Sequence, residues 1–226
     1  MEWSYIRGIL VGVLFGIATL HTRHLNAADQ AELAVLIDNI GGVSAFTLVG
    51  AQDHTTNVLR QAGVKIRWLE CSFAEAEYRD PPGCQVPLDV PTVIVKILPK
   101  AQAERWITPP KALGFSRDTD IFVLLHRVEL LAAQKNMAKS VILGHVMAHE
   151  IGHALLGPGH SAGGLMRNWL RITELRLAEK GQLQFSPKEA AQIRQRTRIL
   201  RGGPLKPPDQ TSTRSRAAAS VSSNSR

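Results

Sequence analysis

His149-Glu150-Ile151-Gly152-His153 puts two imidazoles and a carboxylate within five residues. They lie in an apolar segment, Val141 to Leu156, whose composition and length predict a helix. Residues four apart share one helical face, so both imidazoles can reach a single metal ion. Neutral imidazole suits zinc, and a catalytic zinc site takes three protein ligands and leaves a fourth position for water. Glu150, adjacent to the first histidine, is then placed to act as general base on that water. The plain alternative is two core or surface histidines on an ordinary helix. A third ligand would decide between the two.

Two kinds of third ligand follow in the chain. Ser140 is a candidate N-cap for the helix, and Gly157-Pro158 ends it and turns the chain. A glycine turn there brings back His160, a third imidazole. The other source is a carboxylate from the amphipathic segment Asn168 to Lys180, either Glu174 or Glu179. The apolar stripe of that segment (Trp169, Leu170, Ile172, Leu175, Leu177) makes both carboxylates read more simply as charges on its solvated face. His145 lies one turn before His149, but His145 and His153 are about 12 Å apart along a straight helix. His145 is therefore a packing or supporting histidine. Past His160, Gly163-Gly164-Leu165-Met166 reads as a tight turn carrying a methionine.

From His149 to Met166 the chain resembles the metzincin zinc peptidases. Their pattern is H-E-x-x-H-x-x-G-x-x-H, followed by a methionine-containing turn beneath the metal. This chain has one residue more between His153 and Gly157, so its helix runs one residue longer or ends in a wider turn. The resemblance implies zinc held by His149, His153 and His160, with Glu150 as general base and Met166 as an apolar floor that is not a ligand. It also implies an α+β fold: a twisted, mostly parallel small sheet backed by helices, with the metal-site helix beneath the sheet. An extended substrate would pair along an edge strand of that sheet, which the sequence does not single out. No tyrosine follows the methionine turn to help bind an oxyanion, since Tyr5 and Tyr78 both lie upstream.

The elements needed to position such a site can be read along the chain. Glu32 to Ile40 is rich in Leu, Val and Ile and reads as a strand broken by Gly41-Gly42. Ser44 to Ala62 reads as a helix ending before Gly63. Val64 to Glu70 alternates apolar and polar residues, the period of a half-buried strand. Thr92 to Leu98 is another strand. Lys100 to Thr119, with Pro109, Pro110 and Gly114, reads as a long loop. Asp120 to Arg127 is a further strand candidate, and Val128 to Ala133 can continue it as helix. Ser186-Pro187-Lys188-Glu189 opens a last helix with a capping box, which ends at Arg201 before Gly202-Gly203-Pro204.

Composition bounds the remaining possibilities. Met1 to Arg7, the apolar run Gly8 to Leu20 and the polar stretch ending in Asn26-Ala27-Ala28 have the layout of a secretory signal peptide. The run is short for a membrane span of about 20 residues, and an uncleaved anchor over residues 8–20 is the second reading. In an exported chain Cys71 and Cys84 would form a disulfide, worth about 3 kcal/mol in the chain-entropy account. The domain then covers 29–203, and residues 204–226, rich in Ser, Pro and Arg, form a disordered basic tail.

The net charge of +8 is uneven: residues 1–166 hold 14 Lys+Arg against 15 Asp+Glu, and residues 167–226 hold 13 against 4. The basic C-terminal third suits weak contact with anionic surfaces. With aromatics at 5% and neither a zinc-finger spacing nor a Gly-rich phosphate loop, specific nucleic-acid binding is not expected.

Two functions remain. One is an exported zinc peptidase acting on peptide or protein substrates. The other is a non-catalytic exported zinc-stabilised domain that meets anionic partners through its basic C-terminal region. Glu150 favours the first, because a structural zinc site closes its coordination and needs no adjacent carboxylate.

Overall fold

A computed structural model of the protein describes residues 31–70, 90–168 and 170–200. The signal-peptide layout, the Cys71/Cys84 pair and the basic tail lie outside the described residues. Five strands are present among them: β1 (Ala31–Asp38), β2 (Val64–Glu70), β3 (Thr92–Leu98), β4 (Gly114–Arg117) and β5 (Asp120–Leu124). Six helices accompany them: α1 (Ala45–Gln61), α2 (Lys100–Ala103), α3 (Leu125–Lys135), α4 (Lys139–Leu156), α5 (Ile172–Glu179) and α6 (Pro187–Ile199). The sheet order is β2-β1-β3-β5-β4. The pairs β1–β2, β1–β3 and β3–β5 are parallel, and β4 runs antiparallel to β5 at the edge. The fold is thus α+β, a mostly parallel five-stranded sheet with helices.

Strand β1 shows why the sheet forms. Leu33, Ala34, Val35, Leu36 and Ile37 are all buried, so both faces of this inner strand are covered. Near-continuous apolar runs of this kind mark strands inside parallel sheets. On β5 the alternation separates two cores. Ile121 and Val123 join the main one with β1, β3, α1 and α4. Phe122 and Leu124 point the other way, into a smaller cluster with Leu98 and Ala103 that Trp106 and Phe115 cover.

Helix α4 runs through the main core. Along it Val141 to Ala148 are all buried, as are Ile151, Ala154 and Leu155. It packs on α1 and on β3, β4 and β5, with α3, α5 and α6 around it. A helix apolar nearly all round is one enclosed by protein, and burial rather than capping holds it. Its first residue is Lys139, preceded by Ala138 with no side-chain cap. Ser140 therefore lies inside the first turn and is not the N-cap that its residue type suggested. It faces Gly50 of α1, where an added Cβ would lie 3.0 Å from the Ser140 Cβ.

Two further expectations need correction. Residues 100–119 are not one loop, since they contain α2 and the edge strand β4. Four residues are too few to show a period. The strand exists because Phe115 stacks on Phe122 of β5 at 4.7 Å between ring centroids, a tertiary contact. The strand from Asp120 ends at Leu124, and helix α3 begins at Leu125 rather than at Val128. The capping box of α6 forms as read: Ser186 Oγ accepts from the Glu189 N–H, and the Glu189 carboxylate accepts from the Ser186 N–H.

Candidate metal centre

His149 and His153 project from the last two turns of α4 and are half-buried, while His160 is exposed on the following loop. The added residue after His153 is absorbed by the helix, which continues through Leu156. Gly157 then turns the chain at φ 90°, a conformation that L side chains rarely adopt. Its N–H closes the helix on the His153 carbonyl at 2.9 Å.

The three imidazoles meet at their Nε2 atoms. His149 Nε2 lies 3.1 Å from His153 Nε2, which lies 3.3 Å from His160 Nε2. The protonation states follow from the other ring nitrogens. His149 Nδ1 is 2.8 Å from the Leu165 carbonyl oxygen, and His153 Nδ1 is 3.3 Å from that of Gly157. A carbonyl only accepts, so each Nδ1 carries the hydrogen and each Nε2 presents a lone pair. Burial holds both rings neutral: it lowers the His149 pKa to about 4 and also lowers that of His153. The contact between their Nε2 atoms is therefore no hydrogen bond, since two lone pairs face one another. A cation between them removes the repulsion. In a tetrahedral site with Zn–N of about 2.0–2.1 Å, ligand nitrogens sit about 3.3 Å apart, which matches these spacings. Among the described residues this is the group of three or more ligating side chains able to hold a metal ion.

Met166 and its neighbours pack against α4 at Gly152. Met166 and Leu165 are buried, and the Leu165 carbonyl that orients His149 belongs to this turn. A Cβ at Gly152 would lie 2.5 Å from the Met166 sulfur and 2.8 Å from Phe185, so only glycine lets the turn reach the helix. Overpacking a contact of this kind costs about 1–3 kcal/mol. The turn is fixed from two sides, by Leu165 N–H to Gln184 O at 2.9 Å and by Ser161 N–H to Met166 O at 2.8 Å.

Glu150 points away from the core centre toward β4. It is buried, and burial pushes its carboxyl up to about 8. A Cβ at Gly114 would lie 3.1 Å from Glu150 Oε1, so the edge strand packs directly on the carboxylate. Strand β4, Glu150 and the three histidines line one cleft of about 740 Å³. Gly157, Pro158 and Gly159 line the same cleft, with Arg167, Asn168 and Leu170. The outer edge of β4 has no strand partner among the described residues. An unpaired strand edge beside a cleft is a template for an extended peptide.

The remaining candidates take other roles. Glu174 is buried, which corrects its reading as a solvated charge. It accepts from Arg167 Nη1 at 2.7 Å and from the Arg171 N–H at 3.1 Å, capping α5. Glu179 is exposed at the end of α5. Neither joins the three histidines. His145 is buried, with Nδ1 2.8 Å from the Val141 carbonyl and its ring packed against His54.

Sequence reasoning missed β4, Gly114 and the second use of Glu189. The Glu189 carboxylate caps α6 and also accepts from Ser161 Oγ, on the residue after His160.

No protein-family model matches the chain, and no curated protein matches it. Among solved structures it is similar to an archaemetzincin from Methanopyrus kandleri. The sequences are 13% identical, the match covers 77% of this chain and 99% of that one, and the TM-score is 0.43.

Proposed function

We propose that the protein is an exported zinc-dependent endopeptidase that hydrolyses peptide bonds in a chain laid along β4. The observation that carries this reading is the convergence of three imidazoles on one point, with a buried non-ligating carboxylate lining the same cleft. When bound by His149, His153 and His160, zinc supplies Lewis acidity toward a carbonyl and an acidified water, with a pKa of about 7 in well-characterised zinc hydrolases. Glu150 accepts the proton of the attacking water and delivers it to the leaving amine. Burial disfavours its charged form, and a cation held by the three histidines would favour the carboxylate that accepts this proton. Strand β4 aligns the substrate backbone through main-chain hydrogen bonds, so the cleaved bond is presented to the carboxylate that packs on Gly114.

The test is metal content and turnover together. Purified protein is expected to hold close to one zinc per chain and to cleave members of a broad peptide library, with activity lost to a chelator and restored by zinc. Stoichiometric zinc with no cleavage would favour the non-catalytic reading, in which the basic charge of residues 167–226 makes the contacts that matter. Absence of zinc would end both readings.

Export rests on the layout of the first 28 residues, and in an exported chain Cys71 and Cys84 would form a disulfide. Mass spectrometry without reductant is expected to find a chain lacking that segment, with Cys71 linked to Cys84. An intact Met1 with two alkylatable thiols would overturn export and leave anchoring through residues 8–20 or retention in the cytosol.

A further inference from the structure

We infer that Glu189 is a positioning residue for the third ligand: acting through Ser161, it sets how firmly His160 holds the metal. The inference rests on the metal reading above.

The other two rings are each oriented by a backbone carbonyl at Nδ1, from Leu165 and Gly157. No such bond orients the His160 ring among the described residues, and His160 is the exposed member of the three. On its N-terminal side lie Pro158 and Gly159, the latter at φ 129°, and neither makes a backbone–backbone hydrogen bond among the described residues. The position of His160 therefore depends on its C-terminal neighbour.

Ser161 is held twice. Its N–H donates to the Met166 carbonyl at 2.8 Å, and its Oγ donates to Glu189 Oε1. The second carboxylate oxygen, Oε2, accepts from the Ser186 N–H at 2.7 Å, so both oxygens of Glu189 are engaged. Glu189 is itself buried on the first turn of α6, which is seated in the main core by Ala190 and Ile193. An unbroken series of contacts thus runs from the core to the residue beside His160. Charge-assisted hydrogen bonds to a carboxylate are among the stronger ones, and partners that orient a metal ligand are typically worth roughly 10- to 100-fold in affinity.

The two uses of Glu189 can be separated. Ser161→Ala removes the loop contact and leaves the capping box. Ser186→Ala removes the Oγ cap and leaves the loop contact. Zinc-loaded protein is mixed with excess EDTA and metal release is followed. Cobalt-substituted protein is examined by visible absorption, and the melting temperature of metal-free protein is measured. Ser161→Ala is expected to release zinc about 10-fold faster, the low end for an orienting partner, and to weaken the four-coordinate cobalt bands. The melting temperature of its metal-free form should fall no further than that of metal-free Ser186→Ala, so that faster release does not follow from lost stability alone. Ser161→Thr, which keeps the hydroxyl, restores slow release. Ser186→Ala lowers the melting temperature and leaves release unchanged. Equal release rates for parent and Ser161→Ala overturn the inference while leaving the peptidase reading intact. A parent protein that binds no zinc overturns both.

Discussion

His149→Ala and His153→Ala each abolish stoichiometric zinc binding, and with it all peptide hydrolysis. Both Nε2 lone pairs point at the position where a cation removes their mutual repulsion, with the rings fixed by their Nδ1 bonds. Removing either ring leaves two ligands, and the loss exceeds the roughly 10- to 100-fold typical of losing an outer partner. His160→Ala behaves the same way, because its Nε2 completes the set at 3.3 Å. Glu174→Ala is the control. Its carboxylate is committed to Arg167 and the start of α5, so this substitution lowers stability and keeps the zinc. Metal analysis of the four purified variants after dialysis decides the matter. Zinc retained in both His149→Ala and His153→Ala would remove the metal centre proposed here. Zinc lost in Glu174→Ala and kept in His160→Ala would make the third ligand a carboxylate.

Glu150→Gln keeps the zinc and loses peptide hydrolysis by about 10²- to 10⁴-fold, the usual range for a general base. The amide retains the shape that packs on Gly114 and cannot accept a proton from water. A clean separation is expected because Glu150 adjoins a ligand in sequence yet lies apart from the three ligating nitrogens. Steady-state turnover and bound metal measured on the same preparations test it. Hydrolysis at the parent rate would sink the proton-transfer role even with the metal centre intact. Loss of zinc along with activity would make Glu150 a structural support of the site.

Helix α4, its two imidazoles and the adjacent carboxylate were legible in the sequence alone, as were β1, α1, β2, β3 and α6. The reason is that these signals are local. A four-residue spacing, a run of Leu and Val, and a Ser-Pro-x-Glu start each express backbone geometry within one or two turns. His160 and the methionine turn were within its reach for the same reason, since one glycine turn separates them from the helix. That the three imidazoles meet was set by tertiary contacts. That convergence depends on Leu165, Gln184 and Ser161 pinning a loop through contacts with α4, residues before α6 and α6 itself.

Strand β4 shows the limit most clearly. Its four residues carry no period, and two prolines just upstream give them the look of a loop. They form a strand because Phe115 stacks on Phe122 and Leu113 O accepts from Leu124 N–H. Glu174 marks the same boundary from the other side. Its spacing on α5 placed it among solvent-facing charges, and its burial was set by Arg167, which the methionine turn delivers beside it. Periodicity tells a residue which face of its own element it occupies, but what lies against that face is the property of another part of the chain.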